Sequence, residues 1–322
     1  MNCFPEDKVP KEMEKEKISV IMSVYNEKER ELKTAIDSIL GQTYQNLEFI
    51  IILDNPLNKE LQMVIEAYVQ KDSRIRFFIN KQNMGLVRSL NKALKYVTGS
   101  LIARMDADDI SLKTRLADQL EYLKKTNADF VFAGIEYIDE DNKILFSEKM
   151  RGNTPESCKR TLKYVNCSFH PTWLFKKDIL EKLRQYNPVE YAEDYDFICR
   201  AVQEGYCVCG QNKVLLQYRI RSTGISMQNK AKQDIMAACI RKAAGRNHYS
   251  TERVLQEYER RIKDEKYMRF IKERYEDGVK YKALLHEKKY LRGCVSILLS
   301  FVKHPGLVKE IYRKAQINII NR

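Results

Sequence analysis

The chain has 322 residues, 44% of them hydrophobic and 31% charged, a globular composition that excludes a disordered or fibrous chain. It contains no run of about 18 uncharged apolar residues, so no membrane span is expected, and its charged start, MNCFPEDKVPKEMEKEK, lacks the apolar core of a secretion signal. The formal charge of +13 sits at one end: residues 228–322 hold 23 Lys and Arg against 11 Asp and Glu, and the rest is nearly balanced.

From Ile18 onward, strand and helix signals alternate. ISVIMSV (18–24) is a continuous apolar run bounded by charge, as a buried parallel strand requires. ELKTAIDSIL (31–40) carries apolar residues at helical spacing and stops at Gly41, a suitable C-cap. LEFIIIL (47–53), the helical KELQMVIEAYVQ (59–70), IRFFI (75–79), the helical LVRSLNKALKYV (86–97) and SLIARM (100–105) continue the rhythm. Four strands separated by three helices predict a doubly wound parallel sheet.

ARMDADDIS (103–111) then places Asp106, Asp108 and Asp109 within four positions, ahead of a helix over LKTRLADQLEYLKK (112–125). Carboxylates this close repel one another unless a cation sits among them. A helix cap accounts for Asp109, but hardly for all three. Hard oxygen ligands suit Mg²⁺ or Mn²⁺, which complete their shells with substrate phosphates, so the cluster points to a nucleoside diphosphate. No GxGxxG follows the first strand and no GxxxxGK[ST] occurs, which excludes the dinucleotide and phosphate-loop readings.

Beyond the acids, DFVFAGI (129–135), EYIDEDNKILF (136–146) and SFHPTWLF (168–175) read as strands or hairpin arms around a helix, TPESCKRTLKYV (154–165). YAEDYDFICRAVQEG (191–205) reads as a helix and KVLLQYRI (213–220) as a strand. Cys207 and Cys209 form a CxC on one face of a short strand, and no zinc-like pairs occur. The eight cysteines therefore read as reduced, buried thiols. From Met227 the pattern is helical and lysine-rich. The charge shift and the turn STGIS (222–226) divide the chain into a charged tail (1–17), an α/β domain (18–225) and a basic helical region (226–322).

The blocks SVIMSVYNE (19–27), IDSILGQTY (36–44), FIIILDN (49–55), NKQNMGLVRSLNKAL (80–94), ARMDADD (103–109), HPTWLF (170–175) and YAEDYDFICR (191–200), in this order, resemble the family 2 glycosyltransferases of bacterial polysaccharide assembly. The resemblance covers about 18–221 and implies a GT-A fold: a mostly parallel central sheet flanked by helices, here with the basic helical extension. It implies that Tyr25, Asn26 and Glu27 cradle the nucleotide and that Asp54 meets its base. LDNPLN departs from the family pattern there, with Leu53 in place of a second acid and no Gly-Ser pair; Asp54 starting the Asn55-Pro56 turn is the alternative.

Asn83, Gly85, Arg88 and Asn91 match the segment NxGxxxxxN, with Arg88 facing a phosphate, the acidic cluster or solvent. Asp106 and Asp108 match the DxD motif, Asp106 toward ribose and metal and Asp108 directly on Mn²⁺ or Mg²⁺. Arg104 pairs with an acid there or forms a structural ion pair. Asp194 of the Glu193-Asp194 pair matches the base of inverting members; Asp196 should face elsewhere on its helix. His170 lines an acceptor site or fills the core, and Trp173 packs in the core. Gln217, Arg219 and Arg221 resemble a closing strand that reaches the diphosphate or are surface groups.

The implied activity is inverting, metal-dependent transfer of a hexosyl or N-acetylhexosaminyl group from a nucleotide-diphosphate sugar, a UDP-sugar first. The acceptor is a growing, lipid-linked bacterial surface glycan such as capsule or O-antigen. The expected location is cytoplasmic, peripheral on the inner face of the membrane if KKYLRGCVSILLSFVKHPGLVKEIYRK (288–314) lies over anionic head groups; a core helix packed on the catalytic domain, or a dimer contact, is the alternative. Two rivals fare worse. A nucleotidyltransferase making activated sugars carries a glycine-rich basic signature where this chain has SVYNEKE. A nucleic-acid-binding protein interleaves basic and aromatic residues along a groove, whereas the sheet half is nearly neutral, so no nucleic-acid partner is expected.

Overall fold

Strand β1 (Ile18–Val24) buries six of its seven residues, and β2 (Leu47–Leu53) buries all seven, because helices cover both faces of the sheet. The computed structural model describes residues 16–150, 154–220, 230–245, 248–269 and 271. With β3 (Ile75–Ile79) and β4 (Leu101–Asp106), these strands form a parallel block in the order β3-β2-β1-β4. The crossovers are α1 (Glu29–Leu40), α2 (Lys59–Val69) and α3 (Leu86–Leu94). Alternate residues of β2 enter two cores: Ile50 and Ile52 on one face, Phe49, Ile51 and Leu53 on the other.

The strand order reverses between β1 and β4, where Ser23 lies beside Asp106. In open α/β sheets a crevice for ligands opens at such a point, beyond the carboxyl ends of the strands. The acidic loop leaves β4 at that place and runs through β5 (Ile110–Ser111) into α4 (Arg115–Thr126).

The second half of the sheet is mixed. Beyond β4 come β8 (Leu174–Lys176), β6 (Phe130–Ile138), β9 (Val208–Arg219) and β5, with β7 (Ile144–Glu148) paired to β6. Helices α5 (Pro155–Thr161), α6 (Ile179–Leu183) and α7 (Glu193–Gln203) lie between these strands in sequence.

Two expectations change. His170–Thr172 is a 3₁₀ turn rather than part of a strand, because Pro171 has no N–H for a ladder and fixes its own φ. Strand β9 starts at Val208, five residues before the expected start, and pairs in parallel with β6 through irregular register. Cys207 and Cys209 are both reduced, with sulfurs 3.9 Å apart.

The described part of the basic region forms α8 (Lys230–Ala244) and α9 (Thr251–Lys263). Ile235, Met236, Cys239, Ile240 and Val254 join the same apolar cluster as Trp173 and Phe197, so these helices share a core with the α/β domain. No helix among the described residues is long and apolar enough to cross a membrane. Arg221, the stretch 288–314 and most of the tail 1–17 lie outside the described residues.

Candidate active site

The acidic loop divides its three carboxylates by environment. Asp106, the last residue of β4, keeps 29% of its side chain exposed and forms an ion pair with Arg104, which is on the same face two residues earlier. Asp108 is half-buried, and its carbonyl accepts from Arg219 Nε at 2.8 Å. Asp109 is 1% exposed, and its Oδ1 accepts from the Arg219 backbone N–H at 2.9 Å. Burial, together with Asp108 and Asp106 nearby, pushes the Asp109 carboxyl well above the usual range.

Buried cations support this loop from behind. Arg115 donates to the carbonyls of Arg104 (3.0 Å) and Pro171 (2.6 Å), tying α4 to β4 and to the 3₁₀ turn. Arg219 is 4% exposed and also donates to Asp139 O (2.7 Å) and Asn142 Oδ1 (2.6 Å) in the β6–β7 turn. It therefore clamps the acidic loop rather than reaching a diphosphate. Gln217 donates to Glu136 at 3.0 Å.

A second pair of acids opens α7, where carboxylates complement the helix dipole. Asp194 Oδ1 accepts from the Tyr195 N–H (2.7 Å) and Oδ2 from Asn166 Nδ2 (2.8 Å). Burial pushes Asp194 up to about 6. Burial and the neighbouring Asp194 push Glu193 up to about 8. Glu193 Oε1 lies 3.9 Å from His170 Nδ1, and His170 Nε2 lies 2.9 Å from the Tyr186 hydroxyl. Burial and Arg104 hold His170 well below its usual range, so it is neutral at pH 7. Arg104, ion-paired with Asp106, also acts electrostatically on Glu193, Asp194 and His170.

The expected nucleotide residues fall into two groups. Tyr25 is 39% exposed, its N–H donates to Glu27 at 2.7 Å, and Asn26 accepts from Asn55 at 2.7 Å, which shapes an open loop after β1. Asp54 behaves differently. It is 3% exposed and accepts from Asn80 Nδ2 (2.6 Å), Met84 N–H (2.8 Å) and Gly85 N–H (2.8 Å). Asn83 accepts from the same Gly85 N–H at 3.0 Å, and Gly85 has φ +81°, a conformation that favours glycine. Asp54 and Asn83 thus build the turn ahead of α3.

Asn91 exchanges two 2.9 Å bonds with the Tyr186 backbone and so places the tyrosine against His170. Arg88 is exposed on α3, with no hydrogen bond or ion pair among the described residues. Asp196 faces away from the site: it accepts from Arg200 (2.8 Å), Tyr249 (2.8 Å) and Thr251 (2.7 Å). Trp173 is fully buried against Phe130 and Phe197.

Sequence reasoning missed Asn166, Tyr186 and Arg115. Only Asn166 carried a local signal, an Asn two residues before a Ser, which suits an Asx turn. Among the described residues no group of three His, Cys, Asp or Glu is placed to hold a metal. Asp106 and Asp108 still fit a hard divalent cation that takes the rest of its shell from phosphates and water, as Mg²⁺ does.

The glycosyl transferase family 2 model matches residues 19–184. An uncharacterized glycosyltransferase of Methanocaldococcus jannaschii is 37% identical over 225 residues, 70% of this chain and 78% of the relative. The O-antigen biosynthesis glycosyltransferase WbnJ of Escherichia coli is 34% identical over 207 residues, 64% of this chain and 80% of WbnJ. The amylovoran biosynthesis glycosyltransferase AmsE of Erwinia amylovora is 28% identical, with 66% and 79% covered.

Among solved structures, S. aureus TarS 1–349 in complex with UDP-GlcNAc aligns with a TM-score of 0.58 and 18% identity, over 75% of this chain and 70% of TarS. The mannosyltransferase PcManGT from Pyrobaculum calidifontis, in complex with GDP-Man and Mn²⁺, aligns with a TM-score of 0.58 and 14% identity, over 94% and 86%. These two likenesses bear on the fold alone.

Proposed function

Because this chain belongs to glycosyl transferase family 2, we propose that it transfers a sugar with inversion from a nucleotide-diphosphate sugar to a bacterial surface glycan. The observation that carries this reading is a half-buried acidic pair at the switch point, with Asp106 ion-paired to buried Arg104, together with a second acidic pair whose Asp194 is held by Asn166 and the Tyr195 N–H. Asp106 and Asp108 stand at the switch point of the sheet, and Glu193 and Asp194 stand at the start of α7.

Asp194 accepts the proton of the acceptor hydroxyl as that oxygen attacks the anomeric carbon and the bond to the diphosphate breaks. Two of its lone-pair sites are taken by Asn166 and the Tyr195 N–H, which leaves the others for the hydroxyl. Asp106 and Asp108 would hold Mn²⁺ or Mg²⁺, whose charge stabilises a diphosphate leaving group. The exposed loop Tyr25–Glu27 lies toward the nucleotide, with Arg88 on α3 as a phosphate contact. Asp54 and Asn83 support donor binding by shaping the Gly85 turn.

TarS was solved with UDP-GlcNAc and PcManGT with GDP-Man and Mn²⁺, so UDP- and GDP-sugars with a divalent metal are the first donors to test on this chain. WbnJ and AmsE support a surface glycan as acceptor. A lipid carrier for that glycan fits the basic composition and the lysine-flanked apolar stretch 288–314, and predicts salt-sensitive pelleting of the full chain with anionic vesicles. The test of the activity is a panel of nucleotide sugars with Mn²⁺, Mg²⁺ or chelator, read as release of nucleoside diphosphate. One donor should be turned over with metal and spared by the chelator. Turnover that ignores the chelator removes the metal, and no turnover of any donor removes the reading.

A further inference from the structure

The Asn166 side chain is held in one orientation by a run of donors that begins in the core. Trp173 is fully buried, and its indole nitrogen can only donate. It donates to Ser168 Oγ at 3.1 Å. The Ser168 hydroxyl hydrogen is thereby turned outward, to Asn166 Oδ1 at 2.9 Å. The Ser168 backbone N–H donates to the same oxygen at 3.1 Å. Two donors on Oδ1 identify it as the carbonyl end of the amide, which a flipped amide could not satisfy. The NH₂ end therefore faces Asp194 Oδ2, at 2.8 Å.

We propose that Asn166 is the positioning residue for Asp194, held by Ser168 and Trp173 as a one-way donor that fixes which lone pairs of the carboxylate face the acceptor hydroxyl. This inference rests on the reading of Asp194 as the base. The Tyr195 N–H holds Oδ1 within the helix and Asn166 holds Oδ2 from the opposite loop, so the carboxylate plane is set from two elements. An acceptor-only partner in place of Asn166 would repel the ionised form, whereas the amide NH₂ stabilises it.

Burial drives Asp194 the other way, toward the protonated state. The ionisable groups around it are Glu193 beside it, Arg104 from β4, Tyr186 after α6 and Cys199 further along α7. Of these only Arg104 is a cation. The Asn166 bond is thus the one contact from outside α7 that is a direct donor to the carboxylate among the described residues.

The test is a carbon-detected NMR titration of the full chain labelled at aspartate Cγ, with the Asp194 resonance identified by its loss in Asp194→Asn. Asn166→Ala should raise the Asp194 midpoint by about one pH unit or more, the worth of a hydrogen bond to a charged group. Asn166→Asp is nearly isosteric and guards against a folding defect. It should raise the midpoint further and split the titration, because two carboxyls at that distance share a proton. Ser168→Ala leaves the backbone donor in place and should give a smaller rise.

Midpoints in both Asn166 variants equal to wild type would overturn the proposal. If Asp194→Asn turns over donor at the wild-type rate, the base assignment itself fails. If that variant is inactive while the Asn166 variants titrate as wild type, only this inference fails.

Discussion

Asp106, Asp108 and Asp109 share a loop but not a role, and single substitutions should separate them. Asp108 is half-buried at the site, so Asp108→Ala should keep the fold and abolish metal-stimulated donor binding, read by calorimetry with and without Mn²⁺. Asp109 accepts the buried Arg219 N–H, so Asp109→Ala should cost about 1–3 kcal/mol in denaturant unfolding by leaving that donor unpaired. Retained metal stimulation in Asp108→Ala would contradict this division. The acidic cluster was legible because three carboxylates in four positions demand compensation. The pairing of Arg104 with an acid two residues on was legible as well, but the support from Arg115 and Arg219 was not, since these come from α4 and β9 and reach the loop only in the fold. The choice of Asp194 over Asp196 followed from helical geometry, and Asp196 does face away from the site, toward Tyr249 and Thr251. Asp54 shows the limit: its motif position suggested a contact with the base, but not that three internal donors occupy it.

At the scale of elements, Glu48 joins β1, β2 and the loop before β4. Its carboxylate is 4% exposed and accepts from Ser19 Oγ (2.6 Å), the Thr98 N–H (2.6 Å), Thr98 Oγ1 (2.9 Å) and Arg76 (3.2 Å). Burial alone would raise this carboxyl, but the donors from Ser19, Thr98 and Arg76 outweigh it and hold the group down at about 2. Because the folded value lies below the unfolded one, the stabilisation is complete above the unfolded value of about 4.3 and is lost as pH falls toward 2. Glu48→Gln should cost about 2 kcal/mol at pH 7, and its stability gap to wild type should close across that window in melts at graded pH. A gap independent of pH would exclude the charge. The first four strands and three helices were readable because continuous apolar runs and helical spacing are local signals. Strand β5 has two residues, and the first residues of β9, VCGQN, carry no alternation, so their pairing comes from neighbours rather than from their own sequence.

For the whole molecule, the charge shift and the STGIS turn marked off a basic helical region from residue 226, and α8 and α9 within it share an apolar core with the α/β domain. Net charge reports the surface and says nothing of the buried stripe beneath it. Asp196 fastens this union, since Tyr249 and Thr251 donate to it from beyond α8. Tyr249→Phe should lower stability by about 1–3 kcal/mol in denaturant melts, because a buried carboxylate loses a donor. An unchanged midpoint would mean that Tyr249 does not hold the two parts together. Asp194 thus stands at the start of a helix whose first turn is fastened through Asp196 to Tyr249 and Thr251. The most direct measurement is nucleoside diphosphate release by wild type and Asp194→Asn between pH 5 and 8, at saturating donor and metal, with water or an added glycan hydroxyl as the sugar's acceptor. Asp194 must be ionised to accept a proton, so the wild-type rate should rise as pH climbs through about 6. The variant should bind donor as tightly and release product about 10²–10⁴-fold more slowly. A variant that keeps the wild-type rate and pH profile would contradict the account.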